Sequence, residues 1–274
     1  MRFLAGSIHL ALIVAVAALV AAGCARAPDE DRPLFPAPVH GVWGYIDDRG
    51  RMILPPRWEN VLPFSEGLAG VKRKGRWGFI DRHGNEVIPP RYQSVQSFSH
   101  GHATVATGAP DHPVGVVTTS GTLVLDPPEP LEAAGPPDEL TSFHLDIKLG
   151  YKDKEGRTVI EPRYNQGGPF KEGLAPVQLE GHWMWINRSG AITADFPAGI
   201  AFAEPLSEGL SLVSADRDGG GRGFGFVDRN GRWAIKPVWD EAEPFDHGLA
   251  RVGRWKENKV VYINPSGDVV WREP

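Results

Sequence analysis

The side chains whose types could do chemistry recur at a regular spacing. Glu66, Glu172 and Glu208 each stand directly before a glycine at one recurring position, and His100 and His247 occupy it in two further copies. If that position lined a channel, five titratable groups would converge as a metal or acid–base site. The plainer reading is a turn residue before an obligatory glycine, since a catalytic pair sits at unique positions, not repeated ones. His100 and His102, alternate residues on one strand face, could chelate zinc with His112, but no cysteine or carboxylate completes the set at matched spacing. Asp216-Arg217-Asp218-Gly219-Gly220-Gly221 has the start of a calcium loop and lacks the third acidic ligand and the distal glutamate, so a flexible hairpin tip is expected. Trp43, Trp77, Trp183 and Phe224 recur in phase with an apolar strand and are expected to stack between units. Trp58, Trp239, Trp255 and Trp271 lie off that phase and are the candidates for exposed binding contacts. No nucleophile elbow, phosphate loop, dinucleotide fingerprint or metalloprotease helix appears, and no catalytic residue, metal or cofactor is assigned.

The elements that must position these residues form a repeat. Trp77-Gly78-Phe79-Ile80-Asp81, Gly84, Val87-Ile88-Pro89-Pro90-Arg91-Tyr92 and Phe98-Ser99-His100-Gly101 make one unit. Clear copies start at Trp43-Gly44, Leu149-Gly150 and Phe224-Gly225, and weaker ones at Val114, Trp183 and Val260. Successive starts differ by 34, 37, 35, 34, 41 and 36 residues. A spacing of this size marks a repeat architecture, in which one unit buries its apolar face only against its neighbours.

Within a unit the pattern reads strand, turn, strand. Trp77 to Asp81 is one strand, Asp81-Arg82-His83-Gly84 has hairpin-turn chemistry, and Val87-Ile88 is the return strand. Pro89-Pro90 is expected to stop it, because proline cannot donate to a ladder. Leu68-Ala69-Gly70-Val71 reads as a third strand, and a short one around Val61 to Phe64 would make four. The fold class is therefore all-β: a β-propeller-like array of about seven short antiparallel units, with an open β-solenoid of hairpins as the alternative. Residues 106–145 are the least regular, and a distorted unit or a surface loop is expected there.

Trp77-Gly78-Phe79-Ile80-Asp81, followed by Val87-Ile88-Pro89-Pro90-Arg91-Tyr92, with Phe64-Ser65-Glu66-Gly67-Leu68-Ala69 in the copy before it, resembles the WG (KWG) repeat family, and the resemblance spans roughly residues 42–271. The resemblance implies a bacterial repeat protein and brings no assigned chemistry.

Residues 1–23 read as an export signal: Arg2 precedes an apolar run from Ile8 to Val20 that is short for a membrane span, and Ala21-Ala22-Gly23 ends it. Small residues before the single cysteine, Cys24, resemble the bacterial lipoprotein signal, with Ala21 where that signal carries Leu. Lipid on Cys24 would anchor the chain to a membrane, and the absence of Asp after it resembles outer-membrane lipoproteins facing the periplasm. An ordinary secretory signal with an incidental cysteine is the other reading. Residues 24–41, rich in proline, are expected to be a stiff tether, leaving 42–271 as the repeat domain. With 33 glycines and 25 prolines but 41% apolar residues, the chain punctuates short strands and is not a disordered tract. A net charge of −5 without a basic block excludes nucleic acid as the expected partner. The expected function is a lipid-anchored, non-enzymatic envelope scaffold binding an unknown protein or polymer. The alternative is a cell-wall or carbohydrate-active hydrolase or lyase, with its site in a central channel or in 106–145.

Overall fold

Each Trp-Gly segment lies in the last strand but one of a small antiparallel sheet. The computed structural model describes residues 32–108, 114–124 and 140–274. The first sheet holds β1 (Leu34–Val39), β2 (Val42–Asp47) and β3 (Met52–Trp58). The second holds β4 (Asn60–Val61), β5 (Leu68–Arg73), β6 (Arg76–Asp81) and β7 (Glu86–Tyr92) in sequence order. Five further sheets follow over residues 94–124, 141–164, 166–195, 200–239 and 241–272, giving seven among the described residues and no helix. The fold is a propeller-like all-β array.

Two expectations need correction. The proline-rich segment before residue 42 is not wholly a tether: Leu34–Val39 pairs with β2 along its whole length, because Phe35 and Ala37 have a core to enter. The repeat unit therefore begins at Pro33. Residues 1–31, including Cys24, lie outside the described residues. The proline pair also does not end the return strand. Trp77 faces Tyr92 and Phe79 faces Ile88, so Pro89, Pro90 and Arg91 bulge opposite the single residue Gly78. The same bulge recurs opposite Gly44, Gly150 and Gly225.

That bulge explains the glycine of each Trp-Gly pair. A Cβ on Gly78 would lie 2.7 Å from the Pro90 nitrogen, one on Gly150 2.6 Å from the Ile160 carbonyl oxygen, and one on Gly225 2.6 Å from that of Ile235. These are backbone atoms and cannot rotate aside.

The aspartate of the repeat closes its own hairpin. Asp47 Oδ1 accepts the N–H groups of Arg49 and Arg51, Asp81 those of His83 and Asn85, and Asp228 those of Asn230 and Arg232. Asn187 and Asn264 do the same without charge.

Adjacent sheets share their cores. The aromatic residue after each Trp-Gly meets the Phe of the next sheet: Tyr45–Phe64, Phe79–Phe98, Tyr151–Phe170 and Phe226–Phe245 have ring centroids 4.7–5.0 Å apart. Tilted or edge contacts of this kind add about 0.5–1.5 kcal/mol each beyond area burial. One sequence repeat thus starts in one sheet and ends in the next.

The two ends of the array also meet. Phe35, Ala37 and Ile46 of the first sheet pack with Leu249 and Tyr262 of the seventh. The Tyr262 hydroxyl donates to the Pro36 carbonyl at 2.8 Å, as Tyr45 does to Leu62 and Tyr151 to Gly168 between consecutive sheets. Among the described residues no strand ladder joins one sheet to another, so those sheets are not closed through backbone pairing. The end-to-end contact is made by side chains, and an open stack of hairpins would lack it.

Candidate binding site

Most polar residues at the repeated positions hold the array together. Glu66, Glu172, Glu208, His100 and His247 all sit at positive φ in the turn before glycine, and all five are exposed. The carboxylates of Glu66, Glu172 and Glu208 accept the N–H of Gly101, Gly209 and Gly248 in a neighbouring sheet, at 2.8, 3.2 and 2.8 Å. Ser65 and Ser207 donate across the same junctions to the carbonyls of Phe98 and Phe245, both at 2.7 Å. Where it carries glutamate, the recurring position is thus a turn that clips sheet to sheet, while His100 and His247 contact their own turn neighbours Ser99 and Asp246. Arg57 and Arg163 reach the carbonyls of Gly84 and Gly190 in the next sheet while lying over their own Trp58 and Tyr164 rings.

Of the histidine set, only His100 and His102 fall among the described residues. His102 Nδ1 is 2.9 Å from the His100 carbonyl, and His112 falls outside the described residues. Among the described residues no group of three or more His, Cys, Asp and Glu is placed to hold a metal ion. Much of the irregular segment, at 109–113 and 125–139, is likewise outside them.

The tryptophans divide differently from the expectation. Trp58 and Trp239 are core residues, 3% and 6% exposed, because each faces the Trp-Gly strand across the bulge and turns inward. Trp271 is half-buried and packs against the cluster joining the first and seventh sheets. Of the in-phase set, Trp183 is buried, and Trp43, Trp77 and Phe224 are partly buried against the shared cores. Trp255 alone of the four off-phase residues is open to solvent, at 72%.

Trp255 owes its place to a broken rule of the repeat. The hairpin before each Trp-Gly strand normally has a two-residue turn, such as His40-Gly41, Lys74-Gly75 or Glu180-Gly181, with both residues at positive φ. In the seventh sheet Arg254 and Lys259 are separated by Trp255, Lys256, Glu257 and Asn258. In the sixth sheet the same hairpin carries Arg217 to Gly221. The two enlarged hairpins are linked. Arg217 Nη2 donates to Asp240 Oδ1 at 2.7 Å, and Asp240 Oδ2 accepts the Trp255 N–H at 2.9 Å. Glu59 and Asn165, at the position matching Asp240, cap their own hairpins in the same way. The Arg217 hydrogen bond, then the Trp255 N–H, hold the Asp240 carboxyl below the usual carboxylate range. Gly223 makes room for Arg217, since a Cβ there would run into the guanidinium. The calcium-loop fragment is thus a brace: Arg217 is tied to Asp240, Asp216 faces Arg222, and Asp218 pairs with Lys236.

The indole is fixed at its edge as well, with Nε1 donating to Glu241 Oε1 at 3.2 Å. Beside it lies a cleft of about 230 Å³ whose lining includes Glu241, Glu243, Arg251, Arg254 and Lys259. Arg251 pairs with Glu243 at 2.8 Å, and the Arg254 guanidinium lies 5.3 Å from the Trp239 ring centroid. The sequence signal that could have found this site was the length of one hairpin turn.

Fold and site together define a repeat-built β domain whose irregular hairpins gather on two neighbouring sheets. The repeats are of a known kind: residues 43–77, 77–108, 150–183 and 224–253 match the WG containing repeat. No curated protein matches the chain significantly. Among solved structures, the chain is similar to a protein of unknown function from Bacteroides caccae, with 17% identity, 88% of this chain and 93% of that one covered, and a TM-score of 0.33. It is also similar to virginiamycin B lyase from Staphylococcus aureus, with 12% identity, coverage of 77% and 82%, and a TM-score of 0.30.

Proposed function

We propose that this protein is a non-enzymatic binding scaffold of a bacterial envelope, anchored by lipid on Cys24, which holds a protein or envelope polymer against the Trp255 cleft. The observation that carries the reading is Trp255 itself: a large aromatic exposed to solvent, fixed at backbone and ring by Asp240 and Glu241, beside a polar cleft. Aromatic side chains held in this way supply contact area at low entropic cost. The polar groups at the repeated positions, by contrast, are bonded within the array, which suits a rigid support.

The test is a pull-down from detergent-solubilised envelope with the full chain and its Trp255→Ala variant. The reading expects a partner retained by the first and lost by the second. Equal recovery, or none from either, contradicts it. For the anchor, Cys24→Ser is expected to move the protein from the membrane to the soluble fraction, and retention would refute lipid attachment there.

A second reading, a cell-wall or carbohydrate-active hydrolase or lyase, draws on Glu241 and Glu243, which both line the cleft. Each already has a partner, Trp255 for one and Arg251 for the other, which favours binding over acid–base chemistry. Turnover of envelope glycans by the purified protein, lost in Glu243→Gln, would establish it in place of the scaffold.

A further inference from the structure

We infer that the Trp255 cleft is a subsite for a neutral saccharide chain, an assignment that rests on the binding reading above and names its ligand. Three features point to a sugar. The indole presents a broad apolar face whose in-plane rotation is stopped at Nε1 by Glu241, and such a face suits the C–H surface of a pyranose ring. The lining charges nearly balance, with Glu241 and Glu243 against Arg251, Arg254 and Lys259. Four of the five are also engaged with protein groups, Glu243 with Arg251, Glu241 with Trp255, and Arg254 with the Trp239 ring, while Lys259 is exposed. A cationic ligand would have to break those pairings, and an anionic one would find Lys259 alone outside them. Hydroxyl groups can bond to the remaining lone pairs and N–H groups while leaving the pairs intact.

The size agrees. At about 230 Å³ the cleft is smaller than the roughly 300–1,000 Å³ of sites that enclose a drug-sized ligand, so it accommodates one ring of a chain that continues into solvent at both ends. A folded protein partner would instead call for an apolar core of standard interface size. Around Trp255 the exposed neighbours Lys256, Glu257 and Asn258 are polar.

Arg217 is a positioning residue for this subsite. It touches no ligand, yet it fixes Asp240, which holds the Trp255 backbone N–H. The enlarged hairpin of the sixth sheet thereby sets the angle at which the indole of the seventh is presented.

The experiment is titration of the full chain in detergent with two neutral hexasaccharides, β-1,4-linked glucose and β-1,4-linked N-acetylglucosamine, by calorimetry and by the indole N–H resonance of Trp255. Binding of at least one is expected, with that resonance shifted. Trp255→Ala should weaken it by roughly thirtyfold or more, as for a central aromatic contact. Trp255→Phe should retain part of the affinity, and Arg217→Gln should reduce affinity several-fold at unchanged stoichiometry. Each variant is checked for an unchanged melting temperature, so that loss of binding is not loss of fold. No binding of either sugar, while the envelope pull-down still depends on Trp255, overturns the saccharide assignment and leaves the scaffold reading standing. Binding that survives Trp255→Ala places the sugar elsewhere and overturns the subsite. Cleavage of either hexasaccharide overturns the non-enzymatic reading instead.

Discussion

Replacing Gly44 by alanine tests why every clear repeat carries glycine at that position. The added Cβ would stand 2.8 Å from the Pro56 nitrogen and 3.0 Å from the Pro55 carbonyl carbon, and closer still to the Leu54 carbonyl oxygen. Ordinary contact needs about 3.5–4.0 Å, so the bulged β3 must move by more than half an ångström from β2, along a segment whose two prolines resist it. Overpacking of this kind costs about 1–3 kcal/mol, and backbone atoms that cannot rotate away place Gly44→Ala near the upper end. Lower entropy of the unfolded chain returns about 0.4–1 kcal/mol, leaving a net loss of about 2 kcal/mol. At about 2–4 °C per kcal/mol for a domain of this size, the melting temperature should fall by about 4–8 °C. Gly253→Ala is the control: its Cβ would meet nothing nearer than 3.7 Å, its φ is not positive, and the same entropic term should leave it neutral or slightly stabilised. Guanidinium and thermal unfolding followed by circular dichroism measure both. If Gly44→Ala were as stable as Gly253→Ala, the account of the bulge would be wrong.

Acid should weaken the hairpins capped by aspartate. Burial alone would raise the Asp47 carboxyl, but hydrogen bonds from Arg51 and Arg49 hold it below its usual value. Its stabilisation is therefore present above the unfolded pKa of about 3.9 and is lost as pH falls through the lower folded value. Asp47→Asn, which keeps the acceptor that Asn187 uses, should flatten the fall in melting temperature below about pH 4, and an unchanged pH profile would contradict this. Tyr262→Phe removes the hydroxyl bonded to Pro36 and should cost about 1 kcal/mol, with faster amide exchange across β1. Exchange in β1 unaffected by that change would mean the two ends do not support one another.

The array was legible because its residues answer to local rules. Glycine before the aromatic, aspartate at the hairpin and glycine in the turn each recur at one spacing, and each has one local job. The sequence could not show that Pro89-Pro90 bulges across Gly78 and does not end a strand, because the reason lies in the facing strand. The same facing geometry turns Trp58 and Trp239 inward, so phase along the chain misassigned them. Leu34–Val39 read as a tether because its prolines outweighed its pattern, while its partner Tyr262 stands 226 residues from Pro36. Trp255 was named from phase alone. What makes it a site, the tie from Arg217 through Asp240, joins two sheets and has no signature in either repeat.

The central claim is that seven small sheets form one serial array whose last member packs on its first. Spin labels at Arg49→Cys and Val269→Cys, in a Cys24→Ser background, test it directly. Gly50 lies against Val270 across the junction, so the labels flank the contact between the first and seventh sheets. The account predicts a narrow distance distribution near one sheet-to-sheet spacing, about 10 Å plus the label arms. An open stack would separate them by about six such spacings, or roughly 60 Å, and a distribution centred there would contradict the end-to-end packing.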